Sequence, residues 1–316
     1  MKIVVTPRGF AKCGLDNVKI IEDAGFTVEY NNTGNAYTKE EFYEKTSDAD
    51  GVVVGVELVD KAYIDAHPKL KAVVKFGVGT DNIDLEYCRE KGIFVGRTVG
   101  SNARSVAETA ISFLFADSKN LYESIADTRA RKWTKQTGYE LEGKTIGIVG
   151  FGAIGKKVAQ MAFGLGMKVL AYDPYFIDAE AAQAFCVEVV EFEDILKRSD
   201  FVSLHVPLIP ETTNYITMKE LKTMKPSAVL INTARGGIVN EADLFEALSA
   251  NIIRAAYFDV LVNEPPKEDE PLLGLPNFYA TPHIASRSKE AEKNTANMAT
   301  QIMIDAIKTK LKGETL

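Results

Sequence analysis

A parallel α/β fold in two lobes is predicted by three features of the 316-residue sequence. Short apolar runs alternate with helical segments through two separate stretches, residues 1–100 and 144–282. Most of the runs in the second stretch end on a residue with chemistry to do. Long helical segments stand between the two series and after the second. Strands separated by helices form βαβ units and hence parallel sheets, and ligands of such sheets bind beyond the carboxyl ends of the strands.

The first series has strand-like runs at residues 3–6, 27–30, 51–55, 72–76 and 93–95, with helical segments at 18–24, 39–46 and 84–91 between them. Residues 101–131 carry Val106, Ala110, Phe113, Leu114, Leu121 and Ile125 at helical spacing, as one long helix or two. Ser105 followed by Glu108 reads as an N-terminal capping pattern. The second series has strands at 145–149, 169–172, 201–204, 228–233, 255–258 and 278–281. The tail from Ser286 is helical, with Ala299, Ile302, Met303, Ala306 and Ile307 on one side. It follows the last strand of the second lobe, so it is expected to cross back onto the first. The expected domains are therefore residues 1–100 with 286–316, and residues 101–285. The acidic, proline-rich stretch 263–271 reads as an exposed loop.

Composition excludes several classes. The chain is 46% apolar and 26% charged, with net charge −7. No Lys/Arg block suggests a nucleic-acid or membrane partner, and no apolar stretch approaches the ~20 residues of a membrane span. Cys13, Cys88 and Cys186 lie far apart, without metal-type spacing or a disulfide framework. They read as reduced, mostly buried thiols, and no metal is expected. The chain opens directly on a strand with no signal segment, which makes the cytoplasm the expected compartment.

The strand at 145–149 leads into Gly150-Phe151-Gly152-Ala153-Ile154-Gly155 and then into a helix with Val158, Met161, Ala162 and Leu165 on its apolar face. That context makes the glycine pattern a dinucleotide fingerprint. Gly150 allows a tight turn, Gly152 lets the backbone approach a pyrophosphate, and Gly155 lets the helix pack on the sheet. The helix N-terminus offers N–H groups and a positive dipole end to the anion. Asp173, ending the next strand, is placed to bond a ribose 2′-hydroxyl and would repel a 2′-phosphate. NAD is thus expected in a Rossmann-like lobe.

Three residues of the second half suit hydride transfer to a keto acid. Arg235 ends a strand and is followed by Gly236-Gly237, so its planar guanidinium fork can face a carboxylate. His283, one of three histidines, also ends a strand and can exchange a proton near neutral pH. Glu264 in the acidic loop could fix the tautomer of that imidazole.

At this point the sequence resembles the D-isomer-specific 2-hydroxyacid dehydrogenases over essentially its whole length. The motifs are 150–155, His205-Val206-Pro207-Leu208, Asn232-Thr233-Ala234-Arg235-Gly236-Gly237, Asp259-Val260 with Glu264-Pro265, and Thr281-Pro282-His283-Ile284-Ala285. The resemblance implies a catalytic set of Arg235, Glu264 and His283. It adds His205, Val206, Pro207, Thr212, Thr233, Ala234, Asp259 and Ala285 to the cofactor pocket, where Arg235 and His283 also border NAD. It also implies two Rossmann-like or flavodoxin-like domains with crossing termini, and a homodimer through the nucleotide domain. In the implied mechanism the nicotinamide C4 exchanges a hydride with substrate C2. His283 exchanges a proton with the substrate oxygen, Glu264 supports His283, and Arg235 holds the carboxylate. A glycine-rich loop, Gly77-Val78-Gly79 within residues 76–84, also binds that carboxylate through backbone N–H groups.

Two positions depart from the family pattern, Thr109 and Lys119, and both read as structural. His67 reads as loop surface. The stretch 5–10 with residues 75–79 resembles short phosphoglycerate-dehydrogenase-like members, which lack extra regulatory domains. Arg8 and Lys75, with Arg104 as a weaker candidate, could meet a second anion such as a phosphate, which points to 3-phosphoglycerate and 3-phosphohydroxypyruvate. Glyoxylate, hydroxypyruvate and other 2-keto acids stay open. Glu264 argues against formate oxidation, where an amide takes its place. An NAD-sensing binding protein of the co-repressor type is the non-enzymatic alternative.

Overall fold

The computed structural model describes residues 1–175 and 177–311. The chain divides into two compact units. One is Met1–Asn102 with the segment from Arg287 onward; the other is Ala103–Ser286. Residues 312–316 of the expected C-terminal segment lie outside the described residues.

The first unit holds a parallel sheet of β1 (Lys2–Val5), β2 (Thr27–Tyr30), β3 (Gly51–Val54), β4 (Ala72–Lys75) and β5 (Phe94–Arg97), in the order β2-β1-β3-β4-β5. The order reverses between β1 and β3, the flavodoxin-like arrangement. Its central strands are runs of Val and Ile because both faces are covered. One face receives the helix Lys289–Leu311, whose Ala296, Ala299, Met303 and Ile307 pack with Ile3, Val5, Val53 and Val74. The tail therefore does cross back. Two glycines let it come close: a Cβ on Gly51 would lie 2.5 Å from Met303 Sδ, and one on Gly96 2.5 Å from Ile302 Cγ2. The other face is covered by Phe42, Tyr63 and Ile64.

Two short helices here, Phe10–Cys13 and Lys61–Ala66, were not anticipated. They are too brief to show a period, although Asp60 caps the second through Tyr63 N. His67 corrects the expectation of loop surface. It is buried behind that helix, with its ring 4.0 Å from the Tyr63 ring, Nδ1 2.6 Å from Tyr63 O and Nε2 3.0 Å from Thr46 Oγ1. An imidazole with partners at both nitrogens can lie in a core.

The second unit holds β6 (Thr145–Val149), β7 (Lys168–Tyr172), β8 (Val187–Val189), β9 (Phe201–Leu204), β10 (Val229–Asn232), β11 (Ala255–Phe258) and β12 (Phe278–Ala280). All are parallel, in the order β12-β11-β10-β9-β6-β7-β8. This is a doubly wound sheet reversing between β6 and β9. β8 escaped the sequence reading because it is a half-exposed edge strand of three residues.

The stretch 101–131 is two helices, Ala103–Ser118 and Leu121–Arg129, separated at Asn120, whose φ is 48°. Ser105 lies inside the first helix and does not cap it. Its hydroxyl donates instead to Ala285 O at 2.7 Å. The thiols are also less buried than expected: Cys88 is buried, Cys13 half-buried and Cys186 exposed. Cys186 sits in a turn at φ 49°, just before β8. Among the described residues no helix is long and apolar enough to cross a membrane, and no cluster of His, Cys, Asp and Glu could hold a metal ion.

Candidate active site

The turn after β6 is built from three glycines in three different ways. Gly150 takes φ 96°, and a Cβ there would lie 2.6 Å from His205 O. A Cβ on Gly155 would lie 2.1 Å from Gly150 O. Gly152 has nothing within 4 Å of its Cβ position. The protein's own backbone thus fills the space beside two glycines, while the third faces a cradle that a side chain would fill. Gly152 is also the N-cap of the helix Ala153–Gly164, and no side chain caps that helix. Its first N–H groups are left for an anion, so the residues present fit a dinucleotide pyrophosphate.

Asp173 closes the turn. It accepts from Phe151 N at 2.8 Å and from Tyr175 N at 3.0 Å, which fixes the carboxylate beside the glycine loop. The Phe151 side chain is buried in the core.

His205 and Thr233 follow the neighbouring strands β9 and β10. His205 Nε2 lies 2.9 Å from Ser203 Oγ. Its Nδ1 is buried without a hydrogen-bond partner, as is Thr233 Oγ1. Two buried orphan polar atoms on adjoining strand ends suit a polar ligand. Thr212 is different: its hydroxyl donates to Pro207 O and accepts from Ile209 N. It ties its own loop, and the Val206 side chain is buried.

Burial pushes the His205 imidazole down from 6.5 to about 3. It stays uncharged at neutral pH and carries no acid–base role. The unfolded chain binds the extra proton between those two values, so this group's stabilisation is complete above pH ~6.5 and is lost as pH falls toward ~3. Denaturant titrations should show the parent losing about 2–3 kcal/mol more than His205→Gln between pH ~6.5 and ~4.5. Equal losses in the two chains would contradict this.

The turn after β10 presents Arg235. The side chain of Asn232, fully buried at 0% exposure, donates to Arg235 O at 2.8 Å and accepts from Ala234 N at 3.0 Å. Arg235 Nη1 donates to Ala234 O at 2.7 Å. Gly237 takes φ 82°, and a Cβ on Gly236 would lie 2.2 Å from the Leu261 carbonyl. The Arg235 turn therefore lies directly against the loop that carries Glu264. Asn232 was read only as part of a motif. Its signal was available, since Asn at a strand end readily bonds the backbone two residues on.

The turn after β12 presents His283 at φ 54°. Asp259, 1% exposed, clamps it. The Asp259 carboxylate accepts from the Thr281 hydroxyl, from Ile284 N at 2.9 Å and from Ala285 N at 2.8 Å. Its carbonyl accepts from His283 N at 2.9 Å. Asp259 and Ala285 were expected at the cofactor. The structure engages the Asp259 carboxylate and the Ala285 amide with each other, and Ala285 is buried.

Glu264 Oε2 lies 2.7 Å from His283 Nδ1, and its Oε1 accepts from Leu261 N at 3.1 Å. A carboxylate only accepts, so the imidazole carries hydrogen on Nδ1 and turns Nε2 outward. The structure thus brings Glu264 and His283 together, with the Arg235 turn packed on the same loop.

In the first unit Lys75 Nζ donates to Gly55 O and Asn82 Oδ1, each at 2.5 Å. Gly77 takes φ 146°, and its N–H donates to Thr98 Oγ1 at 3.0 Å. Gly77 is therefore not an open donor, contrary to expectation, because Thr98 uses that N–H to pin the loop. Val78 and Gly79 make no backbone N–H bond among the described residues. Arg8 is exposed in the turn after β1. Arg104 pairs with Glu108 on an exposed helix face.

A glycine cradle at the strand ends of a doubly wound sheet, with a carboxylate–imidazole pair on the same unit, marks a dinucleotide-binding protein. The family model described as D-isomer specific 2-hydroxyacid dehydrogenase, NAD binding domain, matches residues 111–285. The chain belongs to that family. It is 41% identical over 304 residues to the D-3-phosphoglycerate dehydrogenase of Methanocaldococcus jannaschii, covering 95% of this chain and 56% of the relative. It is also 41% identical over 271 residues to the glyoxylate reductase of Thermococcus litoralis, covering 83% and 81%. Among solved structures, the TT0316 protein from Thermus thermophilus matches with a TM-score of 0.86 at 31% identity, covering 99% of this chain and 98% of that one. The chain spans about half the length of the phosphoglycerate dehydrogenases it matches.

Proposed function

We propose that the chain is an NAD-dependent D-2-hydroxyacid dehydrogenase. The observation that carries this reading is the 2.7 Å contact between His283 Nδ1 and Glu264 Oε2, set on the sheet that bears the glycine cradle. NAD, when bound, supplies or accepts the hydride. His283 Nε2 gives a proton to the substrate oxygen in reduction and takes it back in oxidation. Glu264 holds the imidazole in the tautomer that leaves Nε2 outward. Arg235 offers a planar fork to the substrate carboxylate. The N–H groups of Val78 and Gly79 are further carboxylate donors. His205, uncharged, serves the cofactor pocket with Thr233.

The first substrate pair is 3-phosphoglycerate and 3-phosphohydroxypyruvate, with a role in serine biosynthesis, a cytoplasmic location and a homodimer through the second unit. The resemblance at residues 5–10 and 75–79 and the 41% identity to a phosphoglycerate dehydrogenase support it. A second reading is glyoxylate and hydroxypyruvate reduction. It is favoured by equal identity to a glyoxylate reductase and by Lys75, whose ammonium already serves Gly55 O and Asn82.

The test is loss of NADH absorbance with 3-phosphohydroxypyruvate, hydroxypyruvate, glyoxylate and pyruvate at equal concentrations. Preference for the phosphorylated acid is the expected result, and Lys75→Ala and Arg8→Ala should then lower that preference. Activity only on unphosphorylated acids would select the second reading. NADH binding with no turnover of any 2-keto acid would overturn the enzyme reading.

A further inference from the structure

We infer that Glu241 is a positioning residue for the Glu264–His283 pair, an inference that rests on the dehydrogenase reading for its catalytic meaning. Glu241 opens the helix Glu241–Ser249, which is anchored in the core by Leu244, Ala247 and Leu248. Asn240 caps that helix through Asp243 N at 3.0 Å, so the backbone at Glu241 is fixed. From there the Glu241 Oε1 accepts from Val262 N at 2.8 Å. The neighbouring N–H, that of Leu261, is taken by Glu264 Oε1 at 3.1 Å.

The consecutive amides of Leu261 and Val262 are therefore held by two carboxylates, Glu264 on the first and Glu241 on the second. Beneath them lies Gly236, where even a Cβ would meet Leu261 C and O at 2.2 Å and Val262 N at 2.5 Å. This segment is otherwise a poor anchor: it opens a stretch whose residues 262–269 are all exposed. Glu264 takes its position from the Leu261 amide, next to the one Glu241 holds, through Oε1 and passes it to His283 through Oε2. The chain of contacts runs from the helix through Glu241, Val262, Leu261 and Glu264 to the imidazole.

The location is an awkward one for a carboxyl. Burial raises its proton affinity, and Glu270 and Glu264 raise it further, while the bond from Val262 N opposes them. A residue serving only as a helix-terminal charge would be placed more favourably toward solvent.

Two conservative variants separate tether from charge. Glu241→Gln keeps an acceptor oxygen at the same reach and loses the charge. Glu241→Asp keeps the charge and falls one methylene short of Val262 N. The first readout is the ring ¹⁵N spectrum of His283 at a pH where the ring is neutral. The chain has three histidines, so the His283 signals are identified by their loss in His283→Ala. The parent and Glu241→Gln should show hydrogen on Nδ1, and Glu241→Asp should shift toward the Nε2–H form. The second readout is kinetic: kcat should fall about tenfold in Glu241→Asp, a misplacement effect, with NADH affinity unchanged, and stay within about twofold of the parent in Glu241→Gln. An Asp variant with the parent tautomer and kcat, or a Gln variant that loses as much as Asp, would overturn the inference. The tautomer is read without turnover, so the positioning role is judged even if the parent reduces no 2-keto acid.

Discussion

His283→Ala is expected to bind NADH as the parent does and to lose turnover by about 10²- to 10⁴-fold, the range of a positioned general acid–base. The His283 side chain is 43% exposed and so contributes little to packing. Its turn is held by the Asp259 carboxylate and by backbone bonds that do not involve the imidazole. Truncation should therefore remove a proton carrier and leave the glycine cradle intact. NADH affinity by fluorescence and kcat by absorbance decide the matter. Unchanged kcat would remove His283 from the reaction. An equal loss of NADH affinity would make it a cofactor ligand instead.

A second large effect separates two glycines of one motif. Gly155→Ala should destabilise the chain by roughly 2–3 kcal/mol or more, because the added carbon meets a backbone oxygen at 2.1 Å and neither strand nor helix can yield cheaply. Gly152→Val should leave stability within about 1 kcal/mol. Its φ of −76° suits any residue, and its Cβ position is open. The same change should cut NADH affinity by about 100-fold or more, since it fills the space a pyrophosphate needs. Thermal melts with and without NADH distinguish the two, with Gly155→Ala losing Tm in its absence and Gly152→Val losing only the NADH-dependent gain. A Gly152→Val chain that bound NADH normally would place the phosphates elsewhere.

Much of this was legible in the sequence because it rests on local signals. The strands that end in Gly150, Asp173, His205, Arg235, Asp259 and His283 could be read from apolar runs, and the tail helix from its periodic Ala299, Met303 and Ile307. What escaped depended on three-dimensional neighbours. Glu241 and Val262 are 21 positions apart, and nothing local marks either. Asp259 was placed in the cofactor pocket by the family resemblance. Here Thr281, Ile284 and Ala285 turn it into a clamp. Gly77 looked like a donor until Thr98, on another strand end, claimed its N–H. His67 looked like surface because burial of a polar ring depends on partners, Tyr63 and Thr46, supplied by the fold.

The helix Lys289–Leu311 has a consequence for how the molecule is made. The first sheet leaves the ribosome first, yet the apolar cover for Ile3, Val5, Val53 and Val74 is encoded more than 190 residues after that sheet ends. At ordinary translation speeds that face waits on the order of ten seconds or more, while the second unit, contiguous in sequence, can mature in the meantime. The part synthesised earliest is thus completed last, and its uncovered valines are the surface a nascent-chain chaperone would meet.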